Sequence, residues 1–321
     1  MKHLFILNAF AGKKSSVDEL KAKIEKLELS GECIIETTKG RGDATKIARE
    51  YISSTDDFVR VYACGGDGTA NEVMTGMIGF DNCALGVVPV GTGNDFVKSF
   101  GYSMDDFRDL EKMTSGKCVT IDLLECEGNY AMNSISAGYD CAVAKLAQKI
   151  KRFPLMTGPT AYKVAVVLCL FTKRKHTFRP FADGTEIKLP SGYKTQMMCV
   201  AGNGKFYGGG FKATPLASFQ DGNIDFLSVP TVSLWQFAQL IVPFTKGEHI
   251  GHKKAQFITH KKCKVLQFKD EKNVDIGLDG EMYNLKDPVI TVVPQALSVI
   301  IPEKEAELVL TDKGSTRNAS V

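Results

Sequence analysis

Four short apolar runs near the start of the chain, each followed by apolar residues at helical spacing, restrict the fold more than any other feature. The runs are "HLFIL" (3–7), "CIIE" (33–36), "FVRVYA" (58–63) and "ALGVVPV" (84–90). Between them, Val17, Leu20, Ile24 and Leu27 share one helical stripe behind a Ser16–Glu19 capping pair. Ala44, Ile47, Ala48 and Tyr51 share a second stripe, and Val73, Met74, Met77 and Ile78 a third. Strands separated by helical crossovers run parallel. The order therefore predicts a doubly wound α/β domain with ligands at the carboxyl ends of its strands.

Beyond about residue 120 the texture changes. "TIDLLECEGNYAMNSI", "KTQMMCVAGN", "NIDFLSV", "KCKVLQF", "VDIGLD" and "PVITVVP" are short runs divided by turn residues, which predicts an antiparallel β-sandwich or barrel. Helices are expected at 160–171 and 232–242. The reading divides the chain into an α/β domain over 1–124, completed by 302–321, and a β-sandwich domain over 125–301. Internal repeats and low-complexity tracts are absent from the sequence.

Composition sets the class. At 321 residues, 44% apolar and 24% charged, the chain reads as a soluble globular protein of two domains. A formal net charge of +3 permits attraction to anionic membranes or nucleotides without requiring it. Nine cysteines without a C-x-x-C pair favour reduced thiols in a cytoplasmic protein and no zinc site. "MKHLFILNAF" has no long apolar region and does not read as a signal peptide. "VAVVLCLF" (164–171), the longest apolar run, is far short of the roughly 20 residues of a spanning helix.

The chemistry concentrates in two glycine turns. "GGDGT" (65–69) lacks the lysine of a phosphate-binding Walker loop and is not G-x-G-x-x-G. Its bare backbone still suits a phosphate at a helix N-terminus, which makes Asp67 a puzzle because an acid repels phosphate. A divalent cation resolves it, since Mg²⁺ commonly bridges one or two carboxylates and nucleotide phosphates. The plainer alternative is a turn in which Asp67 caps the helix. "VGTGNDF" (90–96) repeats the pattern at the end of the adjacent strand, so both turns converge on one crevice, or Asn94 or Asp95 simply caps a helix.

Together these segments resemble the diacylglycerol kinase catalytic domain family, in its small soluble bacterial lipid-kinase branch. "GGDGT-x-NE" (65–72) and "GTGNDF" (91–96) match its nucleotide-binding signatures. "TKGRGDA" (38–44), "IDL" (121–123), "NGKFYGGG" (203–210), "DGNID" (221–225) and "LDGE" (278–281) follow in the family's order. One departure is Ala9 in "NAFAG" (8–12), where the family usually has proline. The resemblance implies an NAD-kinase-like α/β domain, a C-terminal β-sandwich and an active site between them. Asn8, Ala9, Phe10, Ala11, Gly12, Thr38, Gly66, Asp67, Gly68, Thr69, Ala70, Asn71, Glu72 and Thr92 are the residues implied to contact ATP. Asp67, Asp95 and Asp122 are implied to form an acidic network around catalytic Mg²⁺, with Glu281 as general base.

Phosphoryl transfer needs positioning, charge neutralisation and an acceptor for the hydroxyl proton, and these residue types supply all three. Without the resemblance Glu281 reads as a surface glutamate on a Gly280 turn. "FQDGNID" (219–225) resembles the family's structural metal loop, with Gln220, Asp221, Asn223 and Asp225 as the candidate set. It equally reads as an Asp-Gly hairpin. "KIKR" (149–152), "KRKH" (173–176), "HKK" (252–254) and "HKKCK" (260–264) are solvated faces or, in a lipid kinase, attractors of anionic headgroups beside Phe153, Leu155 and Met156. The expected activity is ATP-dependent phosphorylation of a membrane lipid hydroxyl, diacylglycerol above all, by a peripheral cytoplasmic protein that binds no nucleic acid. The resemblance allows a homodimer, which the sequence itself does not show. Other readings are an NAD kinase, which shares "GGDGT" but not "GTGNDF" or the placing of "LDGE", and a catalytically silent nucleotide- or lipid-binding regulator.

Overall fold

The structure, a computed structural model, describes residues 1–10, 14–91, 93–150, 153 and 158–303. The expected strand–helix alternation opens the chain. It runs β1 (Lys2–Leu7), α1 (Lys14–Ile24), β2 (Glu32–Thr37), α2 (Asp43–Ser53), β3 (Val59–Gly65), α3 (Asp67–Met77) and β4 (Cys83–Pro89). α1 begins at Lys14, so Ser16 lies within its first turn and not at the cap. Three short helices follow, α4 (Asp95–Lys98), α5 (Met104–Arg108) and α6 (Leu110–Thr114). The second half begins with β5 (Lys117–Cys126), β6 (Asn129–Ala131), β7 (Ser134–Gly138), α7 (Tyr139–Ile150) and α8 (Gly158–Thr172). β8 (Arg179–Ala182), β9 (Thr185–Glu186), β10 (Gln196–Gly202), β11 (Ile224–Pro230) and α9 (Leu234–Lys246) continue it. It closes with β12 (Thr259–Cys263), β13 (Val265–Lys269), β14 (Val274–Leu278), β15 (Glu281–Leu285) and β16 (Val289–Ile301).

Strands β2-β1-β3-β4 are parallel, and their near-continuous apolar runs fit burial on both faces. Phe5 and Tyr62 stack at the centre of this core with ring centroids 4.3 Å apart. Full burial of side chains this large contributes about 1.5–3 kcal/mol each. The other half is antiparallel, in a six-stranded sheet ordered β12-β11-β10-β7-β14-β15. It packs through Ile135, Ala201, Phe226 and Ile276 against Leu124, Leu266, Phe268 and Ile290 of the other sheet. The α/β-plus-sandwich architecture is therefore present.

One long strand joins the two halves. β16 pairs with β13 through Val289–Thr291 and, beyond a break in register at 293–297, runs parallel to β4 at Val299 and Ile300. The first sheet is thus completed ahead of the 302–321 segment expected to do so, and 304–321 lie outside the described residues. α7 was not expected. Tyr139, Val143, Leu146, Ala147 and Ile150 give it a helical stripe, which packs with α8 and α9 over β10 and β11.

His249, just after α9, is buried against Phe244, and burial holds its imidazole down at about 4. Below pH 6.5 the unfolded chain takes up a proton that the folded chain refuses. Stability should therefore fall as pH drops from about 6.5 to about 4. Urea titrations across that range should show a shallower fall in His249→Asn; an unchanged slope would contradict the assignment.

Candidate active site

The two glycine turns meet backbone to backbone. A Cβ on Gly91 would stand 2.9 Å from the Gly66 Cα, and one on Gly93 would stand 2.8 Å from Asp67 Oδ2. A side chain at Gly91 would meet backbone, and one at Gly93 would have to push the Asp67 carboxylate aside. The Gly65 carbonyl accepts from Val90 and Gly91 N–H, locking the second turn over the first. α3 starts at Asp67 with Gly66 ahead of it, so the free N–H groups of the first helical turn open at this junction.

Above the turns lies an open cradle of about 550 Å³, lined by Asn8, Phe10, Thr38, Gly40, Arg41, Gly66, Gly68, Thr69, Glu72 and Glu281. Asn8 Nδ2 donates to Thr69 Oγ1 at 2.7 Å, and the Ala9 N–H reaches Thr38 Oγ1 at 3.4 Å, tying the ends of β1, β2 and β3 together. Ala9 is outside the lining. Ala70 is buried in the core, and Asn71 Nδ2 points instead to Asp279 Oδ2 at 3.3 Å. Ala11, Gly12 and Thr92 lie outside the described residues. Gly40 and Arg41 went unselected, although "TKGRGDA" placed them at the carboxyl end of β2, where ligands of such sheets bind.

Asp67 and Asp95 face a second cavity, of about 250 Å³. Burial, and then the charge of Asp95, raise the Asp67 pKa above the ordinary carboxylate value; backbone N–H groups of Phe96, Asn94 and Asp95 oppose the shift. Asp95 accepts from Lys98 Nζ at 3.0 Å and, across the domain junction, from Gly209 N–H at 2.6 Å. Two crowded carboxylates beside a helix N-terminus fit a divalent cation shared with phosphate oxygens. Mg²⁺ needs only one or two of them.

Asp122 does not join this pair. Buried in β5, its carboxylate accepts from Gly222 N–H at 2.7 Å and Gln295 N–H at 2.9 Å, clamping the 219–223 loop and the register break of β16. Its oxygens are committed to backbone. The proposed structural metal loop also fails to fit a cation. Asp221 and Asp225 both meet Lys262, Asp225 also meets His260, and Gln220 donates to the Thr120 carbonyl. Asn223 donates from its N–H to Asp221 Oδ1 and from Nδ2 to the Asp221 carbonyl. In this structure Lys262 and His260 pair with these carboxylates, and the Asn223 and Gln220 amides turn to backbone.

Glu281 and Asp279 are separated by their hairpin. Leu278 pairs with Glu281, and the two residues between, Asp279 at φ 44° and Gly280 at φ 92°, are both left-handed, as the tightest hairpin loops require. The turn sends the two acids to different work. Asp279 accepts from the N–H groups of Met132, Asn133 and Ser134 and from Asn71, and burial still lifts its pKa to about 6. Glu281 stands at the lip of the cradle, paired with Arg41.

An apolar pocket of about 90 Å³ adjoins the carboxylate cavity, lined mainly by α8, α9, Met197, Met198 and Val229. A nucleotide-sized cradle, a carboxylate pair and an apolar pocket thus lie in series. The model of the diacylglycerol kinase catalytic domain matches residues 2–126, and that of the YegS C-terminal NAD kinase beta sandwich-like domain matches residues 133–301. The chain belongs to the diacylglycerol kinase catalytic domain family.

It is accordingly an enzyme of the kinase class. Among relatives, a diacylglycerol kinase of Bacillus subtilis (strain 168) is 28% identical over 94% of this chain and 97% of its own. One of Staphylococcus carnosus (strain TM300) is 25% identical over 96% and 98%. The crystal structure of a diacylglycerol kinase from Bacillus anthracis str. Sterne superposes with a TM-score of 0.64 at 22% identity, covering 93% of this chain and 96% of that one, and shares the fold.

Proposed function

We propose that this kinase transfers the γ-phosphoryl group of ATP to the hydroxyl of a membrane lipid, diacylglycerol first among them, giving phosphatidate. The observation that carries the reading is the series of compartments: the cradle over the glycine turns opens beside Asp67 and Asp95, and an apolar pocket adjoins the cavity they line. The names of the two relatives point to the same acceptor.

In this reading the first-turn N–H groups of α3 and the bare backbone of Gly66 and Gly68 receive the phosphates, while Asn8, Thr38 and Thr69 shape the cradle. Asp67 and Asp95 would hold Mg²⁺, whose chemistry is to neutralise charge on the transferring phosphoryl group. Glu281 accepts the proton of the lipid hydroxyl, and Arg41 holds its carboxylate at the lip until substrate displaces it.

The protein acts at the membrane surface. No helix among the described residues is long and apolar enough to cross a bilayer. α8 and α9, which line the apolar pocket, also carry exposed Val167, Leu168, Phe171, Leu234, Trp235 and Val242. Trp235 is 73% exposed, an amphipathic ring suited to a headgroup layer. Lys163, Lys173, Lys175 and Lys246 are exposed on or beside these helices. Phe153 is exposed as well, whereas Leu155 and Met156 lie outside the described residues. Basic residues near an anionic surface contribute about 1 kcal/mol each. Vesicle sedimentation should therefore show binding that rises with anionic lipid and falls with salt; Trp235→Ala should weaken it. Binding indifferent to salt and to Trp235 would place the membrane surface elsewhere.

To test the function itself, the chain is incubated with γ-labelled ATP, Mg²⁺ and a total lipid extract, and the labelled product is identified. A labelled phospholipid is expected. Label on a soluble nucleotide acceptor, or on none, would overturn the reading.

A further inference from the structure

Two cavities share one set of side chains. Asp140, Tyr162, Tyr207 and Gly208 line both the carboxylate cavity and the apolar pocket, so a ligand occupying both passes them at the junction. Neither lining contains a lysine or arginine among the described residues. The Tyr207 hydroxyl faces the Asp140 carboxyl group and favours its ionised form. Asp140 touches the cavity with part of its surface, while its Oδ2 is covered and has no hydrogen-bond partner.

A carboxylate anion with a covered, unpartnered oxygen and no facing cation is costly. The neutral acid removes that charge and gains an O–H donor. Burial acts in the same direction and outweighs the Tyr207 hydroxyl, which favours the anion, so the Asp140 pKa rises to about 7. Tyr207 keeps its own proton because burial drives its pKa well above the usual phenol value. The junction therefore presents a donor between a polar cavity and an apolar one.

We propose that Asp140, in its acid form at the junction of the two cavities, donates a hydrogen bond to an ester carbonyl of the acceptor lipid. It thereby selects acylglycerols over lipids that carry a hydroxyl but no carbonyl. In an acylglycerol the ester lies between the free hydroxyl and the hydrocarbon chain. The junction lies likewise between Asp67 and Asp95 on one side and the apolar pocket on the other. The inference rests on the lipid-kinase reading above and specifies its substrate class.

The purified chain, ATP and Mg²⁺ are given dioleoylglycerol or the corresponding dialkylglycerol ether in otherwise identical vesicles. The ester should be preferred by about tenfold in kcat/KM, the discrimination that one well-made hydrogen bond supplies. Asp140→Asn retains an N–H donor and should retain the preference. Asp140→Leu has none and should lose it, through a fall on the ester alone. Tyr207→Phe removes the hydroxyl that favours the anion and should keep or widen the preference without moving the ATP KM. It carries the test if thermal melts show the leucine variant misfolded, because a preference lost in Tyr207→Phe would also overturn the proposal. Equal use of ester and ether by the unaltered chain would overturn the proposal. So would an undiminished preference in Asp140→Leu, or a lost one in Asp140→Asn, which would mark the group as a carboxylate acceptor. Lipid phosphorylation without ester preference sinks only this inference; no lipid phosphorylation sinks the lipid-kinase reading with it.

Discussion

Asp67→Ala should lower kcat by about a thousandfold or more while leaving the thermal midpoint near that of the unaltered chain. The size follows from the role: neutralising phosphoryl charge through a metal supplies several kcal/mol of transition-state stabilisation, and about 4 kcal/mol is a thousandfold. The preserved fold follows from the surroundings. Asp67 accepts a long hydrogen bond, 3.3 Å from Phe96 N–H, and stands against the like charge of Asp95. Its removal frees the N–H groups of Phe96, Asn94 and Asp95 but relieves a repulsion, and the two effects oppose each other. Single-turnover rates and thermal melts on the same preparations check both halves. Turnover within about threefold of the unaltered chain would take the metal role away from Asp67, because that role is worth several kcal/mol.

Glu281→Gln should reduce kcat by about 10²–10⁴-fold, the range of a general base, with ATP affinity nearly constant and the fold unchanged. Gln keeps the shape but cannot take the hydroxyl proton. Asp279→Asn should behave differently. Its carboxylate receives three backbone N–H groups and Asn71, and an amide cannot accept from all four. Each buried donor left without a partner costs about 1–3 kcal/mol, so this variant should show itself first as a lowered melting temperature. A severe loss of turnover in Asp279→Asn at unchanged stability, with Glu281→Gln nearly normal, would transfer the base role to Asp279.

The fold was legible where local chemistry matches final burial. "HLFIL", "FVRVYA" and "ALGVVPV" are apolar on both faces because β1, β3 and β4 are covered on both faces. The two glycine turns were legible for a similar reason: Gly91 packs so near the Gly66 backbone that a Cβ there would stand 2.9 Å from the Gly66 Cα. α7 escaped because it follows directly on β7, with Tyr139 next to Gly138, and no loop announces it. The continuity of β16 escaped because only its first part, "PVITVVP", reads as a strand, whereas its 13 residues pair with β13, β5 and β4 in one sheet.

The candidate site was legible as a set of acids and less so as their geometry. Nothing in "IDL" tells that the Asp122 oxygens are taken by Gly222 and Gln295, residues distant in sequence. Likewise "DGNID" carries good metal-ligand chemistry, and only strand register brings Lys262 opposite Asp225 to displace a metal. Asp140 was invisible among ordinary helix residues. Its significance lies in which cavities it faces, and that depends on packing between α7, α8 and the 203–210 loop.

The most direct test of the account follows label from γ-labelled ATP into vesicles containing diacylglycerol, with the purified chain and Mg²⁺. The account predicts labelled phosphatidate, one per ATP consumed, abolished by EDTA, restored by excess Mg²⁺ and missing in Asp67→Ala. Unlabelled lipid under all of these conditions, or a label that persists in EDTA, would contradict it.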